Sequence, residues 1–66
     1  MDIFLNGKAR PCASGDTPLS VIHEHHLKPE EVVVEINGKI ISRGQFGQTA
    51  FKPGDRVEIL HFVGGG

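Results

Sequence analysis

The sequence predicts an α+β domain: a mixed sheet of four to five strands with one main helix packed across one face. Three observations carry this. Asn6-Gly7 and Asn37-Gly38 each sit between short apolar, strand-like runs, the signal of a two-residue hairpin turn. One helical segment lies between those two hairpin-like halves, opened by Thr17-Pro18 and stopped by Pro29. A final strand-like run, Asp55 to Phe62, follows the Pro53-Gly54 turn. A single helix cannot cover both faces of a parallel sheet, so one face is left without a helix.

Taken in order, Asp2 to Asn6 alternates around Ile3 and Leu5 and reads as a first strand. Lys8 to Ala13 returns antiparallel, and Pro11 within it marks a sheet edge because proline cannot donate to a ladder. Ser14-Gly15-Asp16 is a loop. Leu19, Ile22, His26 and Leu27 fall on one face of the helix at i, i+3, i+7 and i+8. Val32 to Asn37 is β-branched and strand-like, and Lys39 to Ser42 returns from the second turn. Arg43 to Ala50 reads as loop or a single helical turn.

The alternation also sorts the strand faces. Val57 and Ile59 share one face of the last strand, while Glu58, Leu60 and Phe62 share the other. Glu58 belongs outside, which places Leu60 and Phe62 outside with it. In the first strand Ile3 and Leu5 point in and Phe4 points out. If the first and last strands are neighbours, Phe4, Leu60 and Phe62 form an exposed apolar patch, the kind of surface that docks a partner. A register shift, or ordinary scattered exposure, is the plain alternative.

Sixty-six residues make one domain with a small core. The single cysteine, Cys12, excludes an internal disulfide, and no Cys/His spacing of the structural zinc type is present. Scarce cysteine fits a reducing compartment. Seven basic and eight acidic residues are spread along the chain, with no basic block and no aromatic-basic interleaving, which argues against nucleic acid. No apolar run reaches the roughly 18 residues of a membrane span, and the opening residues lack the pattern of a signal peptide. A cytoplasmic location is expected.

After the last strand come Val63-Gly64-Gly65-Gly66. Glycine loses the most backbone entropy on ordering, so residues 63–66 are expected to form a flexible arm beyond a domain of residues 1–62. Such an arm passes through a narrow channel and carries one carboxylate at its tip. A frayed terminus or linker is the plain alternative.

Four stretches together resemble a known family. They are Ile3-Phe4-Leu5-Asn6-Gly7-Lys8, Val34-Glu35-Ile36-Asn37-Gly38-Lys39-Ile40-Ile41, Gly54-Asp55-Arg56-Val57-Glu58-Ile59, and His61-Phe62-Val63-Gly64-Gly65-Gly66. Over its whole length the chain is similar to the β-grasp, ubiquitin-like proteins, and within them to the sulfur carriers of thiamine biosynthesis, the ThiS family. Many members stop at two glycines, so Gly65 and Gly66 match the terminal pair and Gly64 is an additional link.

The resemblance implies a β-grasp fold and a protein carrier that is not itself an enzyme. It implies that the Gly66 carboxylate is adenylated with ATP by a partner enzyme of the ubiquitin-activating type. A persulfide-bearing sulfur donor then converts it to a thiocarboxylate, which thiazole synthase uses. It further implies that Val63, Gly64 and Gly65 enter the partners' active sites. No Gly-x-x-x-x-Gly-Lys-[Ser/Thr] loop or dinucleotide fingerprint occurs in the chain, so the implied ATP belongs to the partner and no bound cofactor is expected. Two related readings stay open: the small subunit of molybdopterin synthase, which is usually longer with a proline-containing approach to its tail, and a ubiquitin-like modifier joined to lysines. A β-grasp interaction module with an inert tail is the remaining one.

Other residues suggest different chemistry less strongly. Cys12 as a persulfide carrier has only Arg10 nearby in sequence to lower its pKa, and reads as a half-buried edge residue. His23 and His26, three apart, with His25 and the distant His61, lack a convincing further ligand for a metal. Glu30-Glu31 reads as a solvated pair, and Lys28, Lys39 and Lys52 as solvent-facing.

Overall fold

A computed structural model of the chain describes residues 1–62. Five strands form one sheet: β1 (Asp2–Leu5), β2 (Lys8–Pro11), β3 (Val32–Ile36), β4 (Lys39–Ile41) and β5 (Arg56–His61). Their order is β2-β1-β5-β3-β4. The pairings β1–β2, β3–β4 and β3–β5 are antiparallel, and β1–β5 is parallel. The mixed sheet expected from the sequence is therefore present, with the last strand at its centre. One α-helix, α1 (Pro18–Glu24), supplies Pro18, Val21 and Ile22 to the buried interior.

Both Asn-Gly turns take the geometry their residues favour. Asn6 and Gly7 have φ of 49° and 84°, and Asn37 and Gly38 have 52° and 85°. These are the left-handed pairs of a type I′ turn, whose twist matches that of the flanking strands. Each asparagine also reaches β5. The Asn6 side chain bonds the Ile59 backbone, and the Asn37 side-chain Oδ1 accepts from the Arg56 N–H at 3.0 Å.

The core lies between α1 and one sheet face. Ile3, Val32, Val34, Val57 and Ile59 come from the sheet, and Val21 and Ile22 from the helix. Each fully buried aliphatic side chain contributes about 1.5–3 kcal/mol. Phe46 and Phe51, from the segment between β4 and β5, complete the core, although the sequence pattern reads Arg43 to Ala50 only as loop or a single helical turn. Two backbone bonds tie the segment to the region where α1 begins: Leu19 N–H to Phe46 C=O at 3.0 Å, and Phe51 N–H to Asp16 C=O at 2.9 Å. A 3-10 turn over Arg43–Gln45 leads into it.

The helix begins as expected. Thr17 caps it, accepting from the Ser20 N–H at 3.3 Å while its own N–H donates to the Ser20 hydroxyl at 2.8 Å. It ends sooner than the apolar spacing predicts. Glu24 is its last residue, and His26 stands outside it at φ 58°. The His26 N–H bonds His23 C=O and the Leu27 N–H bonds Ile22 C=O, both at 3.0 Å. This is a Schellman ending, with a histidine at the left-handed position that glycine usually fills. Leu27 still packs on the core, from beyond the helix. His26 is exposed and does not share a helical face with Ile22, because the chain reverses before reaching it.

Candidate functional site on the outer sheet face

The sheet face opposite α1 carries four large exposed apolar side chains: Phe4 at 44% exposure, Ile40 at 72%, Leu60 at 53% and Phe62 at 51%. Phe4, Leu60 and Phe62 are the three residues that strand alternation predicts to point outward. Their mutual placement differs from a single patch. Strands β1 and β5 are neighbours, but Phe4 lies opposite Arg56, not opposite Leu60. Leu60 is four residues farther along the same strand, with Glu58 between. The residue beside Leu60 is Val33 of β3, and the Phe62 N–H continues that ladder to Glu31 C=O at 3.1 Å. Leu60, Phe62 and Val33 thus form one apolar group. Phe4 stands apart from it because a parallel pairing set at Leu5 and Val57 carries β1 no farther along β5.

Ile40, which the sequence reading did not single out, extends this surface. It lies opposite Glu35, which in turn lies opposite Glu58. Its place on the outer face follows from the same alternation that placed Phe4, so the signal was in the sequence.

The remaining candidates are placed as follows. Cys12 follows the end of β2 and is partly buried against the core, with its N–H donating to Met1 C=O at 2.7 Å. His23, His25 and His26 are exposed around the end of α1. The His61 Nε2 lies 3.4 Å from Glu31 Oε1, a long and solvent-exposed contact of little energetic weight. Among the described residues no group of three or more His, Cys, Asp or Glu side chains is arranged to hold a metal. Also among them, no helix is long and apolar enough to cross a membrane. Glu30 is exposed and Glu31 half-buried, both in a 3-10 turn over Pro29–Glu31. Lys28, Lys39 and Lys52 are exposed. The expected reactive group at Gly66 and the approach through Val63, Gly64 and Gly65 lie outside the described residues.

What the described part supplies is a rigid base for that approach. Strand β5 has paired neighbours on both sides along its first half and keeps β3 beside it to His61. It also buries Val57 and Ile59 under the helix side of the sheet. Residue 62 is therefore presented from the best-anchored strand of the fold.

Comparison with known proteins agrees with this architecture. The crystal structure of a thiamine biosynthesis protein (ThiS) from Geobacter metallireducens superposes with a TM-score of 0.76 at 33% identity, covering 100% of both chains. The sulfur carrier protein ThiS of Escherichia coli is 27% identical over 66 residues, again 100% of each chain. A thiazole synthase from Magnetococcus marinus is 36% identical over all 66 residues, which make up 20% of that protein's length. The sequence model of the ThiS family matches residues 3–66, and on that match, together with a shared fold over the full length of a solved relative, the chain belongs to the ThiS family.

Proposed function

We propose that this protein is a sulfur carrier of thiamine biosynthesis, and that the carboxylate of Gly66 is the group that carries the sulfur. The observation that carries the reading is the ThiS family match through residue 66, alongside end-to-end similarity to the E. coli sulfur carrier.

The chemistry follows from what a carboxylate lacks. An anionic carboxylate is a poor electrophile. Attack of a Gly66 oxygen on the α-phosphate of ATP, in the site of a partner of the ubiquitin-activating type, forms an acyl-adenylate and releases pyrophosphate. The mixed anhydride has a good leaving group, which divides one difficult step into two easier ones. Attack by sulfide on the acyl carbon then expels AMP and leaves the thiocarboxylate. Where the donor is a protein persulfide, its terminal sulfur attacks instead, and a thiol cleaves the resulting acyl disulfide to the same product. In this scheme the chain is a co-substrate acting in the cytoplasm, and the catalytic groups belong to its partners. Val63, Gly64 and Gly65 thread the channel, and Phe4, Leu60 and Phe62 dock the partner surface.

Thiazole synthase is the acceptor in this reading. Support comes from the M. marinus thiazole synthase, in which a segment similar to this chain is one part of a longer protein. Incubation with the adenylating enzyme, ATP and a sulfur donor, followed by intact mass spectrometry, tests the proposal. Replacement of one oxygen by sulfur is the expected result. An unchanged mass, or conjugates of higher mass, would overturn it.

A further inference from the structure

The outer sheet face holds two carboxylates that take part in no close ion pair among the described residues. Glu35 and Glu58 are directly opposed on β3 and β5, a placement that sets like charges against each other. Among the described residues the ion pairs are Arg10–Glu24 and His61–Glu31, so neither carboxylate has one. Arg56 stands on the same face, two residues from Glu58, without pairing to it. Glu35 and Glu58 line an open hollow together with Asn37, Gly38 and Arg56. Apolar side chains flank the pair: exposed Ile40 beside Glu35, exposed Leu60 and half-buried Val33 one step along the strands, and exposed Phe4 beside Arg56.

Folding alone gives no account of this arrangement, since replacing either carboxylate by a neutral group would relieve repulsion. A partner gives one. Two facing carboxylates against a single Arg56, with Ile40 and Leu60 on adjoining positions of the face, accept one further guanidinium or ammonium group, desolvated as apolar surfaces close over those neighbours. We propose that the Glu35–Glu58 pair is the polar anchor of this face, and that the surface of thiazole synthase covering it inserts one arginine or lysine side chain between the two carboxylates while apolar side chains cover Leu60 and Ile40. The inference rests on the carrier reading for the identity of the partner. It adds the residue chemistry that selects that partner over other apolar surfaces, because an apolar patch alone discriminates weakly.

The test uses the intact chain and thiazole synthase from the same organism, titrated calorimetrically at low and moderate salt. The Glu35→Gln/Glu58→Gln double variant is expected to bind about tenfold more weakly or worse, and to lose most of the salt dependence of the parent. Leu60→Ser is expected to weaken binding as well. Circular dichroism should show the double variant folded, with a thermal midpoint at or above that of the parent. Parent-like affinity of the double variant, with Leu60→Ser impaired, would overturn the anchor while leaving the docking face in place. Parent-like affinity of both variants would overturn the anchor and the docking reading together. If sedimentation showed the parent self-associating through this face, and the double variant dissociated that dimer without changing its affinity for thiazole synthase, a second copy would be the occupant and the proposal would fail.

Discussion

The Asn6 side chain pairs with the Ile59 backbone as a strand would: its Oδ1 accepts from the Ile59 N–H at 2.9 Å and its Nδ2 donates to the Ile59 C=O at 3.2 Å. Strand β1 ends at Leu5, so a side-chain amide carries the ladder one step beyond the end of the backbone pairing. Asn6 is therefore held twice, by a turn that needs a positive φ and by a strand edge that needs a donor and an acceptor. Glycine satisfies only the first demand. Asn6→Gly should lose about 2 kcal/mol, near 1 kcal/mol for each hydrogen bond. Asn6→Ala should lose about 1 kcal/mol more, for placing a Cβ with no local hydrogen bond in the left-handed region. Urea denaturation with an unchanged slope measures both losses, and equal midpoints for Gly and parent would show the amide to be dispensable.

His26 presents the opposite case, a residue kept where another would be more stable. It holds φ 58° at the end of α1, and its side chain is exposed. His26→Gly should raise stability by roughly 0.5–1 kcal/mol, because glycine occupies that conformation without steric cost. His26→Val should lower it, since a β-branched residue fits the left-handed region worst. Thermal midpoints of the two variants should fall on either side of the parent.

Glu35 and Glu58 allow a stability prediction independent of any partner. Directly opposed like charges on a sheet cost roughly 0.2–1 kcal/mol. Glu35→Gln and Glu58→Gln should each recover an amount of that order. The double variant should gain little beyond either single change, because the repulsion is removed once. Added salt should shrink the gain by screening the pair, of which Glu58 is exposed and Glu35 half-buried. A fully additive double-mutant cycle would show that the two carboxylates do not interact.

Phe46 and Phe51 are each expected to carry a large share of the stability. Both are nearly fully buried, and a large aromatic cut to alanine costs about 3–5 kcal/mol. A chain of this size has roughly 3–10 kcal/mol in total. Phe46→Ala and Phe51→Ala should therefore each remove about a third or more of the total stability, read as a large fall in the urea midpoint by circular dichroism, whereas Phe46→Leu should cost much less.

These two residues also show where reading the sequence stops working. The turns at Asn6-Gly7 and Asn37-Gly38, the Thr17 cap and the inward alternation of Val57 and Ile59 were legible because each depends on neighbours a few positions away. Phe46 and Phe51 lie in a segment with no period, so nothing local marks them as core. Only the strands they pack under do so. The early end of α1 was hidden because Leu27 keeps helical spacing while reaching the core from beyond the helix. At the candidate site, the outward aim of Phe4, Leu60 and Phe62 was legible from parity. The gap between Phe4 and Leu60 was not, since it is set by a parallel register between residues more than fifty positions apart.

The chemical claim at the chain's end can be separated from all of these. None of the buried side chains of the described domain lies beyond Ile59. Gly66→Val should therefore leave the urea midpoint close to that of the parent, within the ~0.5 kcal/mol typical of substitutions outside a core. Under the proposed chemistry, a branched side chain at Gly66 would hinder passage through a narrow channel in the partner and would crowd the carbon that sulfur attacks. Thiocarboxylate formation should fall to background, as intact mass spectrometry after incubation with the adenylating enzyme would show. Gly66→Ala, which adds one methyl group, should form the product slowly enough to separate a graded steric limit from loss of recognition. Conversion of the valine variant at the parent's rate would remove Gly66 from the mechanism, and conversion of the alanine variant at background would mean that the channel tolerates no side chain at all.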